Sequence, residues 1–199
     1  MAELLHFSGP LTPLRSDSRH SADVGVSGEP RWYAAYTRFR CEKHIAEMLD
    51  YRGVEHYLPL YETVHRWKNR SARVQLPLFP SYLFVYTSLQ DRMRTLALPG
   101  VIGLVGHPSP MALNGQEVEA IRKYLSQRLP VQPHPYITQG KRVRIRTGPL
   151  AGLEGFVLRR RSAWCVVINV DLIHRSMIVQ IDASHLELVP NASLRRSAT

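Results

Sequence analysis

The chain has 199 residues, 44% of them hydrophobic, and carries a formal net charge of +10 with an isoelectric point of about 10.1. This length allows one medium or two small domains with buried cores, and the positive charge favours a polyanionic partner. No apolar run approaches the roughly 20 residues of a transmembrane helix, and the N-terminus lacks the pattern of a signal peptide. The sequence therefore argues against a transmembrane helix and a signal peptide and predicts a cytoplasmic protein, in which Cys41 and Cys165 are buried thiols.

The first half of the chain predicts an arm followed by a mixed domain. Residues 1–30 are rich in Ser, Gly and Pro without an apolar period, which is typical of a disordered arm. Over residues 31–129, strand patterns alternate with helical ones; Cys41, Ile45 and Leu49, for example, recur at the spacing of one helix face. We therefore predict an α+β fold, with an N-terminal antiparallel sheet flanked by helices.

The second half predicts a linker, a small all-β domain and a tail. Residues 130–138 hold three prolines and no charged residue, which indicates a stiff, extended linker. From 139 to 190, apolar residues such as Val143 and Ile145 alternate with arginines, as in the strands of a small barrel. Dense β-branched residues disfavour a helical form of this domain. Residues 191–199 are a tail.

The segment "GPLAGLEG" in the second domain predicts a tight turn. A phosphate-binding loop would continue with Lys-Ser/Thr and a helix, whereas a strand follows here. A tight turn is the better explanation for the spacing of the turn-forming residues Gly148, Pro149, Gly152 and Gly155.

No residue pattern predicts catalysis. Cys41-x-x-His44 has the spacing of metal ligands, but no second pair accompanies it, so a helix-face cysteine beside an exposed histidine is the better interpretation. A Gly-x-Ser-x-Gly nucleophile motif is absent from the sequence. The chain is therefore predicted to be neither an enzyme nor a metal- or cofactor-binding protein.

The stretch "LPLFPSYLFVY", residues 76–86, combines aromatic rings with a proline just before a strand. Pro80 lacks a backbone donor and is tolerated there because the ladder has not begun. Tyr and Trp side chains offer a large apolar face and a polar tip, which suits them to anchoring an interface. Core packing is the alternative, and we favour it for Leu83 and Phe84. Docking is favoured for Phe79, Tyr33 and Tyr82.

The stretch "HRWKNR" places three cations around Trp67 near a hairpin tip. A basic cluster beside an aromatic ring is common in nucleic-acid-binding proteins. A solvated hairpin explains the same residues equally well, and the sequence leaves both interpretations open for Arg66, Lys68 and Arg70.

Several motifs in order resemble one known family. "WYAAYT", "EKHIAEML", "YLPLYE", "RWKNR", "PLFPSYLFV" and "LPGVIGLVG" resemble the N-terminal (NGN) domain of the NusG family of transcription elongation factors. "GKRVRIRTGPLAGLEGFV" is similar to the KOW motif of the SH3-like barrel that ends most members. The resemblance covers about residues 31–190. Ser81 stands where the family more often has Gly.

The resemblance implies a monomeric factor that binds bacterial RNA polymerase and modulates pausing, termination or antitermination. The clamp helices of the polymerase would be bound by Trp32, Tyr33, Phe79, Pro80 and Tyr82, close to the non-template DNA. The rim of the barrel would recruit either a ribosomal small-subunit protein or the Rho terminator through Ile173, Arg175, Met177 and Ile178. The arm favours a specialised, operon-selective antiterminator. The alternative is a KOW-containing RNA-binding or ribosome-associated protein.

Overall fold

The computed structural model describes residues 28–67, 70–138, 140–160 and 163–189. Nearly all of the predicted arm and the whole predicted tail lie outside these residues. Within the described ranges, no helix is long and apolar enough to cross a membrane.

The N-terminal domain, from β1 to α3, is built around a four-stranded antiparallel sheet in the order β2-β5-β1-β6. A separate hairpin of β3 and β4 extends from it. Its elements are β1 Arg31–Thr37, α1 Glu42–Tyr51, β2 His56–Tyr57, β3 Leu60–Trp67, β4 Arg70–Pro77, β5 Tyr82–Thr87, α2 Met93–Leu96, β6 Val101–Leu104 and α3 Gly115–Ser126.

The two faces of this sheet are covered by different elements. Side chains alternate along β1, so Tyr33 and Ala35 pack with Ile45 and Leu49 of α1 on one face. Residues of α3 such as Ile121 pack with the other face. The amphipathic spacing of both helices therefore decides which side of each helix packs against the sheet.

The C-terminal domain is a six-stranded antiparallel sheet in the order β12-β8-β9-β10-β11-β7. Its strands are β7 Val131–His134, β8 Lys141–Ile145, β9 Glu154–Arg160, β10 Ala163–Val170, β11 Arg175–Gln180 and β12 Leu186–Leu188. Short 3₁₀ turns lie at Asp171–Ile173 and Ala183–His185. The predicted α+β fold class is confirmed, and the described residues of the second domain form strands and 3₁₀ turns but no α-helix.

The structure differs from the predicted linker at residues 130–138. Residues of β7 pair with β11, where Val131 lies opposite Val179 and Pro133 opposite Met177. Tyr124 of α3 donates a hydrogen bond to the carbonyl of Pro130 at 2.9 Å, just before this strand. Proline is compatible with β7 because β7 is an edge strand, whose outward side needs no donor. This segment is extended, but it belongs to the C-terminal sheet.

The glycine-rich turn lies between β8 and β9. Gly148 and Gly152 have φ angles of +89° and +88°, a region that side chains with a Cβ rarely adopt. Gly155 has a different constraint, because a Cβ there would lie 2.5 Å from the carbonyl oxygen of Val167 in β10. The turn and the close approach of two strands thus account for the glycine spacing.

Candidate functional site

The main candidate is a row of aromatic rings on one face of the N-terminal sheet, which we call the aromatic face. The β1–β5 register sets Trp32 opposite Tyr86 and Tyr36 opposite Tyr82, and both pairs of ring centroids are 5.3 Å apart. Tyr36 is 41% exposed, so this end of the face is open to solvent. The face consists of Trp32, Tyr36, Tyr57, Tyr82, Phe84 and Tyr86.

One cation from α3 lies over the other end of the aromatic face. The guanidinium carbon of Arg122 is 5.1 Å from the ring centroid of Trp32 and 5.0 Å from that of Tyr57. Burial raises the pKa of Tyr57 to about 12, although the charge of Arg122 acts in the opposite direction. Nothing in the sequence pattern pointed to Arg122, because its contacts depend on where α3 lies on the sheet. Such cation–π contacts fix both the arginine and the rings.

A type II turn positions the edge of this face just before β5. The Tyr82 amide donates to the Phe79 carbonyl at 3.0 Å, Pro80 occupies the second position, and Ser81 has a φ of +69°. The Ser81 amide donates to Oε1 of Glu42 at 2.6 Å, and Glu42 is only 2% exposed. A buried carboxylate therefore stabilises the turn, in a position where a glycine would adopt the backbone more easily.

We expect Ser81→Gly to raise the free energy of unfolding by roughly 0.5–1 kcal/mol. Glycine removes the steric cost of the left-handed backbone and keeps the amide that Glu42 binds. Urea titration measures the effect. Ser81→Ala is the control, because alanine retains the strain and should leave stability within roughly 0.5 kcal/mol of wild type. Equal values for the glycine and alanine variants would contradict the turn geometry.

The residues predicted to bind polymerase do not all lie together. Trp32 and Tyr82 are half-buried on the aromatic face, and Pro80 borders it. Tyr33 points to the opposite face and is 4% exposed, because successive strand residues alternate. Phe79 was expected at the rim, but it is 1% exposed and lies 6.0 Å from the ring of Phe84. The predicted single face is therefore wrong for Tyr33, and the predicted rim position is wrong for Phe79.

The C-terminal domain packs against the N-terminal domain beside the aromatic face. The guanidinium carbon of Arg175 lies 5.7 Å from the ring centroid of Tyr82. One contiguous cluster of buried hydrophobic residues runs through both domains and includes Phe79, Phe84, Ile121, Ile168, Met177 and Val179. The two domains are thus docked, and Tyr82 is covered from the C-terminal side.

The residues predicted to recruit a second partner lie in and beside β11. Ile173, Met177 and Ile178 are buried, whereas Arg175 is exposed apart from its contact with Tyr82. Sequence reasoning assigned Arg175 to an external partner and gave no signal of its contact with the first domain. In the docked arrangement, three of the four side chains are unavailable at the surface.

The predicted nucleic-acid contact maps to the end of the β3–β4 hairpin. Arg66 lies in β3 and Arg70 begins β4, with Trp67 paired to Arg70. Lys68 falls outside the described residues. The backbone therefore places this basic stretch at a hairpin tip, and its contact with nucleic acid stays a prediction.

Comparison with known proteins gives one family match and matches to solved structures. Residues 30–122 match a family model described as "Transcription termination factor nusG". The chain is similar, at 19% identity, to a structure described as "Domain interaction in Thermotoga maritima NusG", with 81% of this chain and 98% of that chain covered and a TM-score of 0.53. A structure described as "Crystal Structure of MjSpt4:Spt5 complex conformation B" also matches at 19% identity, covering 80% of this chain and 97% of that chain, with a TM-score of 0.26. No curated protein matches.

Proposed function

We propose that this chain is a transcription factor of the NusG family that binds bacterial RNA polymerase during elongation, because residues 30–122 match the model of that family. The aromatic face is the binding surface, and the clamp helices of the polymerase are its partner. The factor acts by binding, and it makes and breaks no covalent bond.

One observation carries this proposal, namely the solvent-open end of the aromatic face. Tyr36 is exposed on β1, and Ile102 is exposed on the neighbouring strand β6. Exposed tyrosine and isoleucine side chains present apolar surface that a partner can bury, and the tyrosine hydroxyl can still form a hydrogen bond in the interface. A patch of this kind on a rigid sheet is suited to a helical partner that presents an apolar face.

Polymerase binding would compete with docking of the C-terminal domain. Arg175 covers Tyr82, and Met177 lies within the core shared by both domains. Release of the C-terminal domain would extend the open surface from Tyr36 to Tyr82. It would also free the rim of the barrel for a second partner, either a ribosomal small-subunit protein or the Rho terminator.

We further propose that the factor opposes termination on chosen operons. Its net charge of +10 and the basic hairpin support an additional, electrostatic contact with the non-template DNA near the transcription bubble. Each cation at the hairpin would contribute to affinity without reading the sequence. The arm at 1–30, which distinguishes this chain from a minimal two-domain factor, supports a specialised role.

Tyr36→Ala tests the binding surface. We expect the variant to bind core RNA polymerase at least tenfold more weakly in biolayer interferometry, a loss of about 1.4 kcal/mol, because a partly exposed aromatic anchor is removed. The matched control is Tyr51→Ala at the end of α1, where the side chain is 94% exposed.

The two tyrosine variants should unfold at similar urea concentrations, so a difference in binding reports the interface. Equal binding by Tyr36→Ala, Tyr51→Ala and wild type would reject the aromatic face as the polymerase site. A loss of binding in both variants would place the contact elsewhere.

A further inference from the structure

The contact between the two domains places two carboxyl groups on one cavity. Glu117 lies in the first turn of α3, in the N-terminal domain, and Asp171 begins the 3₁₀ turn after β10, in the C-terminal domain. Both line one cavity between the domains, where the polar and charged neighbours are Tyr136, Thr138, Arg142, Glu154 and Asn169.

Among the other groups around this cavity, one forms a hydrogen bond to Asp171 and the charged ones form ion pairs with each other. The Tyr136 hydroxyl donates to Oδ1 of Asp171 at 2.9 Å, and the Tyr136 ring meets His174 edge-on at 4.9 Å. Arg142 and Arg144 each donate to Glu154 at 2.7 Å. Arg142, the cation that lines the cavity, is therefore paired with Glu154. The negative charge of Asp171 acts on Glu117.

Burial is the main influence on the Glu117 carboxyl, and the negative charge of Asp171 acts in the same direction. Together they raise the pKa of Glu117 from 4.5 to about 7. The first turn of α3 would favour an ionised carboxylate, so the raised pKa reflects burial and Asp171 prevailing over the helix dipole.

We infer that Glu117 makes docking of the C-terminal domain depend on a proton. The docked form holds Glu117 as the neutral acid, and ionised Glu117 opposes docking because it loses water and faces Asp171. This inference concerns the contact between the domains and stands whether or not the aromatic face binds polymerase. If the proposed function holds as well, the same proton controls how much of that face is open.

The direction of the pH dependence follows from the two states of Glu117. Below pH 4.5 the carboxyl is neutral in both the docked and the released form, so docking is strongest there. Between pH 4.5 and about 7 the released form ionises first, and the docking constant falls by up to tenfold for each pH unit. Above about pH 7 the loss is complete, at no more than roughly 300-fold.

Nuclear magnetic resonance of the full chain at pH values from 5 to 8 tests this inference. The rotational correlation time of each domain is measured, since docked domains tumble as one body and released domains tumble separately. We expect the wild type to shift toward the released form as the pH rises, and a carbon-13 titration of Glu117 to have its midpoint well above 4.5 in the docked form.

Glu117→Gln removes the titrating group and keeps the shape of the side chain. We expect this variant to stay docked at pH 8 and to show a flat profile. Glu47→Gln is the matched control, because it removes the same charge from an exposed position on α1, at the opposite face of the sheet.

Three results would overturn the inference. Docking of the wild type could be independent of pH between 5 and 8. Glu117→Gln could follow the wild-type profile, which would assign the dependence to another group. Glu47→Gln could flatten the profile as strongly as Glu117→Gln, which would indicate a general effect of net charge. None of these results bears on the Tyr36 binding test, so the two proposals fail separately.

Discussion

Phe79→Ala is expected to lower the free energy of unfolding by about 3–4 kcal/mol, in the range typical of a buried phenylalanine. Phe79 is almost completely buried and packs beside Phe84 in the cluster shared by both domains. Alanine would leave a cavity that the sheet cannot close, because the neighbouring strands hold their positions through backbone hydrogen bonds. Urea titration followed by far-ultraviolet circular dichroism measures the loss.

Phe39→Ala provides the control for this substitution. Phe39 is 63% exposed in the loop before α1, so its removal should change stability by less than roughly 0.5 kcal/mol. If Phe79 were an interface residue, as the sequence pattern suggested, Phe79→Ala would weaken polymerase binding and leave stability unchanged. That outcome would contradict the burial described here.

Gly155→Ala is expected to destabilise the C-terminal domain by about 2–3 kcal/mol. A Cβ at this position would lie 2.5 Å from the carbonyl oxygen of Val167 and 2.7 Å from Cγ1 of Val166, so β9 and β10 would have to separate. Overpacking against backbone is costly because no side-chain rotation relieves it. Thermal unfolding monitored by tryptophan fluorescence measures the loss, and Trp164 in β10 is the tryptophan that reports on this domain.

Gly103→Ala is the matched control, since it makes the same change in a strand of the other domain. No atom lies within 4 Å of the added Cβ there, and alanine restricts the unfolded chain, so stability should stay the same or rise slightly. Equal losses in both variants would show that the cost comes from strand glycines in general and not from the approach of β9 to β10.

Local patterns were sufficient to predict the elements that contain the candidate site. The spacing of Ile45 and Leu49 predicted α1, and the apolar run after Pro80 predicted β5. Alternation of Val143 and Ile145 with arginines predicted β8. Each of these signals depends on residues only a few positions apart, because the apolar residues on one face of a helix or strand recur at a short, regular spacing. The local sequence likewise showed that the strands of the candidate face are rich in aromatic residues.

The sequence by itself determined the strands and helices of both domains, the tight turns and the aromatic side chains available for binding. Only the tertiary structure decided which rings stay at the surface. Strand alternation turns Tyr33 toward α1, and docking of the C-terminal domain places Arg175 on Tyr82 and sets Glu117 and Asp171 on one cavity. The pairing of the edge strand β7 with β11 likewise joins residues more than 40 positions apart in the chain. Contacts of this kind join surfaces that are far apart along the chain, so no local period or motif encodes them.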